Sequence, residues 1–142
     1  MERLDYRKVG AEPWGILGSL AEYSRDCAID YALVELVKLR ASQINGCANC
    51  VNLHANTLRD KLGETEERLQ NLVVWQEAKC FSERERAALA WAEAVTLVAG
   101  TGVPDEDFAD VSEHFSEEEL VDLTFAITTI NVHNRLALAF GR

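Results

Sequence analysis

The stretch that limits the fold most is "HFSEEELVDLTFAITTINVHNRLALAFG", residues 114–141. Ser116 and Glu119 have the spacing of a capping box, in which a serine hydroxyl and a glutamate three residues on satisfy free amides at a helix start. The helix they open should run to near Gly141. Its Leu120, Val121, Leu123, Phe125, Ala126, Ile127, Ile130, Val132, Leu136, Leu138 and Phe140 surround it on all sides, so burial against one neighbour cannot hide them. A helix apolar all round in a small protein is either central or at a subunit interface, and self-association is expected.

The remainder also reads as helix. Only two prolines, Pro13 and Pro104, interrupt the chain, and apolar residues recur at helical spacing. Pro13 suits the first turn of a helix carrying Trp14, Leu17, Leu20 and Ala21. A second helix should span Asp30 to Ser42 with Leu33, Leu36, Val37 and Leu39 inward, followed by a turn at Asn45-Gly46. A third should run from near Cys47 to Gly63 and a fourth should start after Thr65. A second capping box at Ser82 and Glu85 opens a helix to about Ala99, and Pro104 opens a short acidic one to about His114. The expectation is an all-α fold, and at 142 residues one domain spanning 1–142.

Fourteen basic residues against 24 acidic give a net charge of −10, which argues against nucleic acid or an anionic membrane as partner. Ten carboxylates from Glu93 to Asp122 lie in a stretch without Lys or Arg, either a solvated acidic face or an electrostatic filter on partners. The first residues lack the pattern of a secretory signal, and no apolar run has the length of a membrane span. A cytoplasmic location is expected, where thiols stay reduced unless they are catalytic or bind metal.

Chemistry concentrates in "ELVKLRASQINGCANCVNLH", residues 35–54. Cys47, Cys50 and His54 fall on one face of a helix, since residues three, four and seven apart occupy neighbouring rungs. A helix start near Cys47 would lower a thiol pKa there. If the two helices form an antiparallel hairpin turned at Asn45 and Gly46, Glu35 and His54 each lie about 12 Å from the turn and can face each other. A carboxylate beside the imidazole fixes its tautomer and raises its basicity, and the imidazole can then take the proton of Cys50. Two other readings stay open from the residues alone. Zinc could take Cys47, Cys50, His54 and a further ligand, although no second Cys or His pair is visible. The CxxC could also be two small buried residues, with Glu35 merely an exposed helix residue near Lys38. Covalent haem would need His directly after the second cysteine, where Val51 stands; no cofactor or metal is expected.

Glu35, CxxC and His54 in this spacing resemble the signature of the alkylhydroperoxidase AhpD-like proteins of the carboxymuconolactone decarboxylase family. "FSERERAALAWAEAVT" (81–96), Trp75 and the ending from His114 are similar to its small single-domain branch. The resemblance implies an all-helical fold with a helix-turn-helix CxxC core that assembles through long helices into dimers, trimers or hexamers. It also implies a thiol peroxidase acting on organic hydroperoxides or hydrogen peroxide. Carried over, Cys50 would be the peroxidatic thiol, Cys47 the resolving thiol, and Glu35 and His54 the proton relay. A dithiol or disulfide reductase would complete the cycle. The alternatives are a protein disulfide oxidoreductase or redox sensor using the same CxxC, and a metal-binding or non-catalytic helical module.

Two positions depart from the pattern. Some AhpD members place a histidine between the cysteines, where this chain has Asn49, and many relatives would carry tryptophan at His133. The wider family's decarboxylases lack the CxxC, so its presence favours redox chemistry. His133 reads as a packed or interface histidine, with a minor role lining the site as the alternative. Cys27 and Cys80 read as small buried apolar residues, Trp14, Trp75 and Trp91 as core or interface aromatics, and His114 as a solvated helix end.

Overall fold

The structure, a computed structural model, describes residues 2–141. Among these, nine α-helices follow in chain order: α1 Tyr6–Val9, α2 Ala11–Tyr23, α3 Tyr31–Asn45, α4 Ala48–Asn56, α5 Glu66–Asn71, α6 Glu83–Thr96, α7 Val98–Thr101, α8 Asp105–Ser112 and α9 Glu117–Phe140. A π-helical turn at Thr57–Lys61 extends α4, and a 3-10 turn at Leu72–Val74 extends α5. The all-α expectation holds. No helix among the described residues is long and apolar enough to cross a membrane.

The helix at the centre is α3, packed against α4, α6 and α9. Its Val34, Leu36, Val37, Leu39 and Ala41 are buried on more than one side, which explains why its apolar residues run almost without interruption. They join Leu58 and Leu72 from the extensions of α4 and α5, Leu89 and Ala92 of α6, and Leu123 and Ile127 of α9 in one core. Burying each such leucine or valine contributes roughly 1.5–3 kcal/mol relative to exposure.

Start signals in the sequence are realised as bonds. Ser82 and Glu85 form a reciprocal capping box on α6, as do Ser116 and Glu119 on α9. Thr65 caps α5 by accepting from the Arg68 amide. Gly46 (φ 71°) and Gly63 (φ 71°) take the left-handed conformation that glycine adopts most readily. The expected third helix therefore does reach Gly63, but as α4 followed by the π-helical turn.

Other elements differ from expectation. The helix read to Ala99 ends at Thr96, and a separate turn, α7, follows. Helix α2 forms around Pro13, yet none of its residues is buried. Trp14, Leu17 and Leu20 instead line one wall of an apolar groove of about 590 Å³, whose other wall is Val132, Leu136 and Phe140 of α9. Helix α9 buries Leu123, Ala126, Ile127 and Ile130 while Val121, Phe125 and Val132 stay about half exposed.

The acidic stretch has a local cause. Asp105, Glu106 and Asp107 occupy the first turn of α8, and Glu117, Glu118 and Glu119 that of α9, where negative charge complements the positive end of the helix dipole. Glu119 also pairs with Arg84 at 2.9 Å, Glu93 with Arg40 at 2.9 Å, and Asp122 accepts from the Tyr23 hydroxyl at 2.8 Å.

Candidate active site

The Asn45-Gly46 turn folds α4 back along α3. Gly46 donates to the Gln43 carbonyl at 3.2 Å, and the Cys47 amide donates to the Ser42 carbonyl at 3.1 Å. Cys47 is thereby held as the N-terminal cap of α4, with its carbonyl accepting the Val51 amide at 2.9 Å. Cys47 and Cys50 are joined as a disulfide with Cα atoms 5.3 Å apart, a separation ordinary for such bonds. They are 2% and 9% exposed.

One turn beyond Cys50, the His54 ring reaches back to α3, its Nδ1 2.7 Å from Glu35 Oε2. Glu35 is 3% exposed, so its reading as an exposed helix residue is overturned. With the carboxyl ionised, Nδ1–H donates to it and Nε2 is left as the ring's acceptor. Burial alone would push the Glu35 carboxyl upward. The hydrogen bond from His54, the nearby Lys38 charge and the Tyr31 hydroxyl outweigh it and hold the carboxyl below its ordinary value.

Lys38 was missed by the sequence reading, which named it only as a neighbour of Glu35. It is 6% exposed, its Nζ lies 3.9 Å from Glu35 Oε1, and it donates to Ser24 Oγ at 3.0 Å. The signal available was a cation one turn past Glu35, set between the apolar Val37 and Leu39.

A polar network also went unread. Asn45, directly ahead of Gly46 and Cys47, donates through Nδ2 to Oδ1 of both Asn131 and Asn134 at 2.9 Å. Asn131 donates to Thr96 Oγ1 at 3.1 Å, Asn134 to Ser42 Oγ at 3.1 Å, and Arg135 to Asn131 Oδ1 at 2.6 Å. The turn carrying the cysteines is thus tied to α9.

His133 packs edge-on against Trp14, with ring centroids 5.4 Å apart, and its Nδ1 lies 3.1 Å from the Thr129 carbonyl. Burial pushes its imidazole below the ordinary value, against the pull of that carbonyl, and the charges of Lys38, His54 and Arg7 push the same way. His133 is therefore a packed ring, as one of its two readings has it. Trp91 packs in the core and Trp75 donates to Glu93 at 2.8 Å. Cys27 and Cys80 are free and half-buried, packed against the core. Asn49 is exposed. In this oxidised form neither sulfur of the CxxC is a thiolate, and among the described residues no group of three or more His, Cys, Asp or Glu is placed to hold a metal ion.

A helical hairpin holding a three-residue-spaced disulfide beside a buried carboxylate–imidazole pair defines an all-helical CxxC domain. The sequence pattern of the carboxymuconolactone decarboxylase family matches residues 16–94, the span that contains all of α3 and α4. The chain belongs to that family and is AhpD-like within it. The uncharacterized protein YdfG of Bacillus subtilis is 39% identical over 99% of this chain and 95% of its own length. A solved structure of a protein of unknown function from Agrobacterium tumefaciens, suggested to be an antioxidant defence protein AhpD, is 40% identical with a TM-score of 0.94. That match covers 99% of this chain and 95% of the other. An uncharacterized peroxidase-related protein from Silicibacter sp. TM1040 superposes with a TM-score of 0.80 at 20% identity, covering 92% of this chain and 69% of the other. At that identity the likeness carries the fold alone.

Proposed function

We propose that this protein is a thiol peroxidase that reduces organic hydroperoxides or hydrogen peroxide through a dithiol–disulfide cycle of Cys47 and Cys50. The observation that carries the reading is the 2.7 Å contact between Glu35 Oε2 and His54 Nδ1, buried one turn from a bonded CxxC pair. In the reduced protein His54 Nε2 takes the Cys50 proton, directly or through a water. The thiolate attacks the terminal peroxide oxygen; the O–O bond breaks, Cys50 becomes a sulfenic acid and the alkoxide leaves as alcohol on taking up a proton. Cys47 then displaces hydroxide from the sulfenic sulfur, which departs as water, and the disulfide forms. An external dithiol or disulfide reductase returns two electrons and two protons by exchange.

Low exposure of both cysteines supports a small oxidant over the disulfide of a folded protein as substrate. A homo-oligomer is part of the same reading, supported by the half-exposed apolar residues of α9 and by α2, none of whose residues is fully buried within one chain. Peroxide consumption by wild type, Cys47→Ser and Cys50→Ser with a general dithiol reductant tests the reading. Cys50→Ser should abolish turnover, and Cys47→Ser should stop the disulfide from forming. Equal rates in all three proteins would overturn it, while thiol–disulfide exchange on protein substrates without peroxide turnover would favour a disulfide oxidoreductase.

A further inference from the structure

Two features of α3 sit unused by the relay as described: the second oxygen of Glu35, and a lysine buried one turn further along the helix. We propose that Lys38 is a third member of the relay, a positioning residue that acts through Glu35 by keeping its carboxylate ionised and bonded to His54 Nδ1. The proposal rests on the peroxidase reading only in taking Cys50 as the thiol that His54 serves.

The geometry divides the carboxylate. Oε2 takes His54 Nδ1 at 2.7 Å, and Oε1 faces the Lys38 ammonium at 3.9 Å. The ammonium is fixed from its other side by Ser24 Oγ at 3.0 Å, and that hydroxyl is itself anchored to the Ala21 carbonyl at 2.6 Å. Lys38 is thus aimed by a segment that follows α2, outside the α3–α4 hairpin. Lysine is seldom buried to this degree unless paired, and the partner that offsets its desolvation is the relay carboxylate.

An ionised carboxylate bonded to Nδ1 fixes the tautomer that leaves Nε2 as the ring's acceptor for a thiol proton. A cation facing the carboxylate's other oxygen helps to keep the carboxyl ionised, and so keeps that bond and that tautomer in place. Charged and titratable groups from every neighbouring element bear on this corner. Tyr31 and Glu35 lie on α3, Arg25 and Cys27 on the segment after α2, His54 on α4 and His133 on α9. Burial pushes the Lys38 ammonium below its ordinary value, Glu35 pulls it back up, and Arg25 adds to the fall.

The test reads thiol ionisation instead of turnover. Reduced protein is treated with iodoacetamide across pH 5–9, and the rate of modification at Cys50 is followed by peptide mass spectrometry. Lys38→Met removes the charge at similar volume, and Lys38→Gln removes it while keeping a donor for Ser24. Both should move the midpoint of the Cys50 profile to higher pH by about half a unit or more, since without the ammonium the carboxylate is less firmly held as the anion and the His54 that serves Cys50 becomes a weaker acceptor. In a Glu35→Gln background the shift from Lys38→Met should shrink to less than half, because the coupling runs through the carboxylate. Profiles of both Lys38 variants that superimpose on wild type, or a shift undiminished in the Glu35→Gln background, overturn the proposal. His54→Asn separates the two claims. If it displaces the profile while the Lys38 variants do not, the relay stands without Lys38; if it changes nothing, relay and proposal fall together.

Discussion

Glu35 carries more consequences than any other side chain in the protein. It is buried between an imidazole and an ammonium, so deleting it leaves His54 Nδ1 without its acceptor and the Lys38 ammonium without its counter-charge. Removing one partner of a buried pair costs roughly 3–5 kcal/mol, and urea unfolding of Glu35→Ala at neutral pH should show a loss of about that size. Glu35→Gln should lose less, because the amide oxygen can still accept from His54. The pH dependence has a definite sign. The folded carboxyl lies below its ordinary value of 4.5, so the stability it supplies is complete above that value and is lost as the pH falls through the lower folded value. Thermal melts should therefore show wild type losing stability more steeply below about pH 4.5 than Glu35→Gln does. Equal slopes would mean that the carboxyl is not held ionised by its neighbours.

Among the helices, those at the ends of the site differ in how they are fastened. The N-terminus of α9 depends on the Ser116–Glu119 box, and Ser116→Ala should cost about 1 kcal/mol, visible as a fall of roughly 2–4 °C in Tm for a chain of this size. Asn134, fully buried, holds both the Asn45 amide and the Ser42 hydroxyl. Asn134→Ala leaves those groups short of partners, and a loss of about 1–3 kcal/mol is expected. The Cys50 alkylation rate should change with it, because Asn45 adjoins the turn into Cys47; an unchanged rate would reduce the network to a structural brace. What was readable beforehand follows the same division. Capping boxes, Gly46, Gly63 and the i, i+3, i+7 placement of the site residues are local, so spacing alone announced them. The Asn45–Asn131–Asn134 network joins residues 86 and 89 positions apart, and nothing in either segment marks the other. The burial of Lys38 could not be read beforehand because its acceptor Ser24 lies 14 residues away, outside its own helix. Helix α2 was read correctly as a helix, but the apolar spacing of Trp14, Leu17 and Leu20 could not say whether its own chain would cover that face.

For the whole molecule the exposed apolar surface is decisive. Val121, Phe125 and Val132 on α9 are 54%, 50% and 44% exposed, and Ile16 of α2 is 67% exposed; monomers rarely leave such side chains clustered in water. Sedimentation should give a mass that is a multiple of the 15.8 kDa chain, and Val132→Asp should shift it toward a smaller species. A wild-type protein that sediments as one chain would contradict the reading. Helix α9 presents those residues outward and, through Asn131 and Asn134, grips Asn45 at the mouth of the cysteine turn. In an oligomer joined through that face, quaternary contacts and sulfur chemistry would share a single mechanical part, and dissociating the subunits by dilution should alter how fast Cys50 reacts.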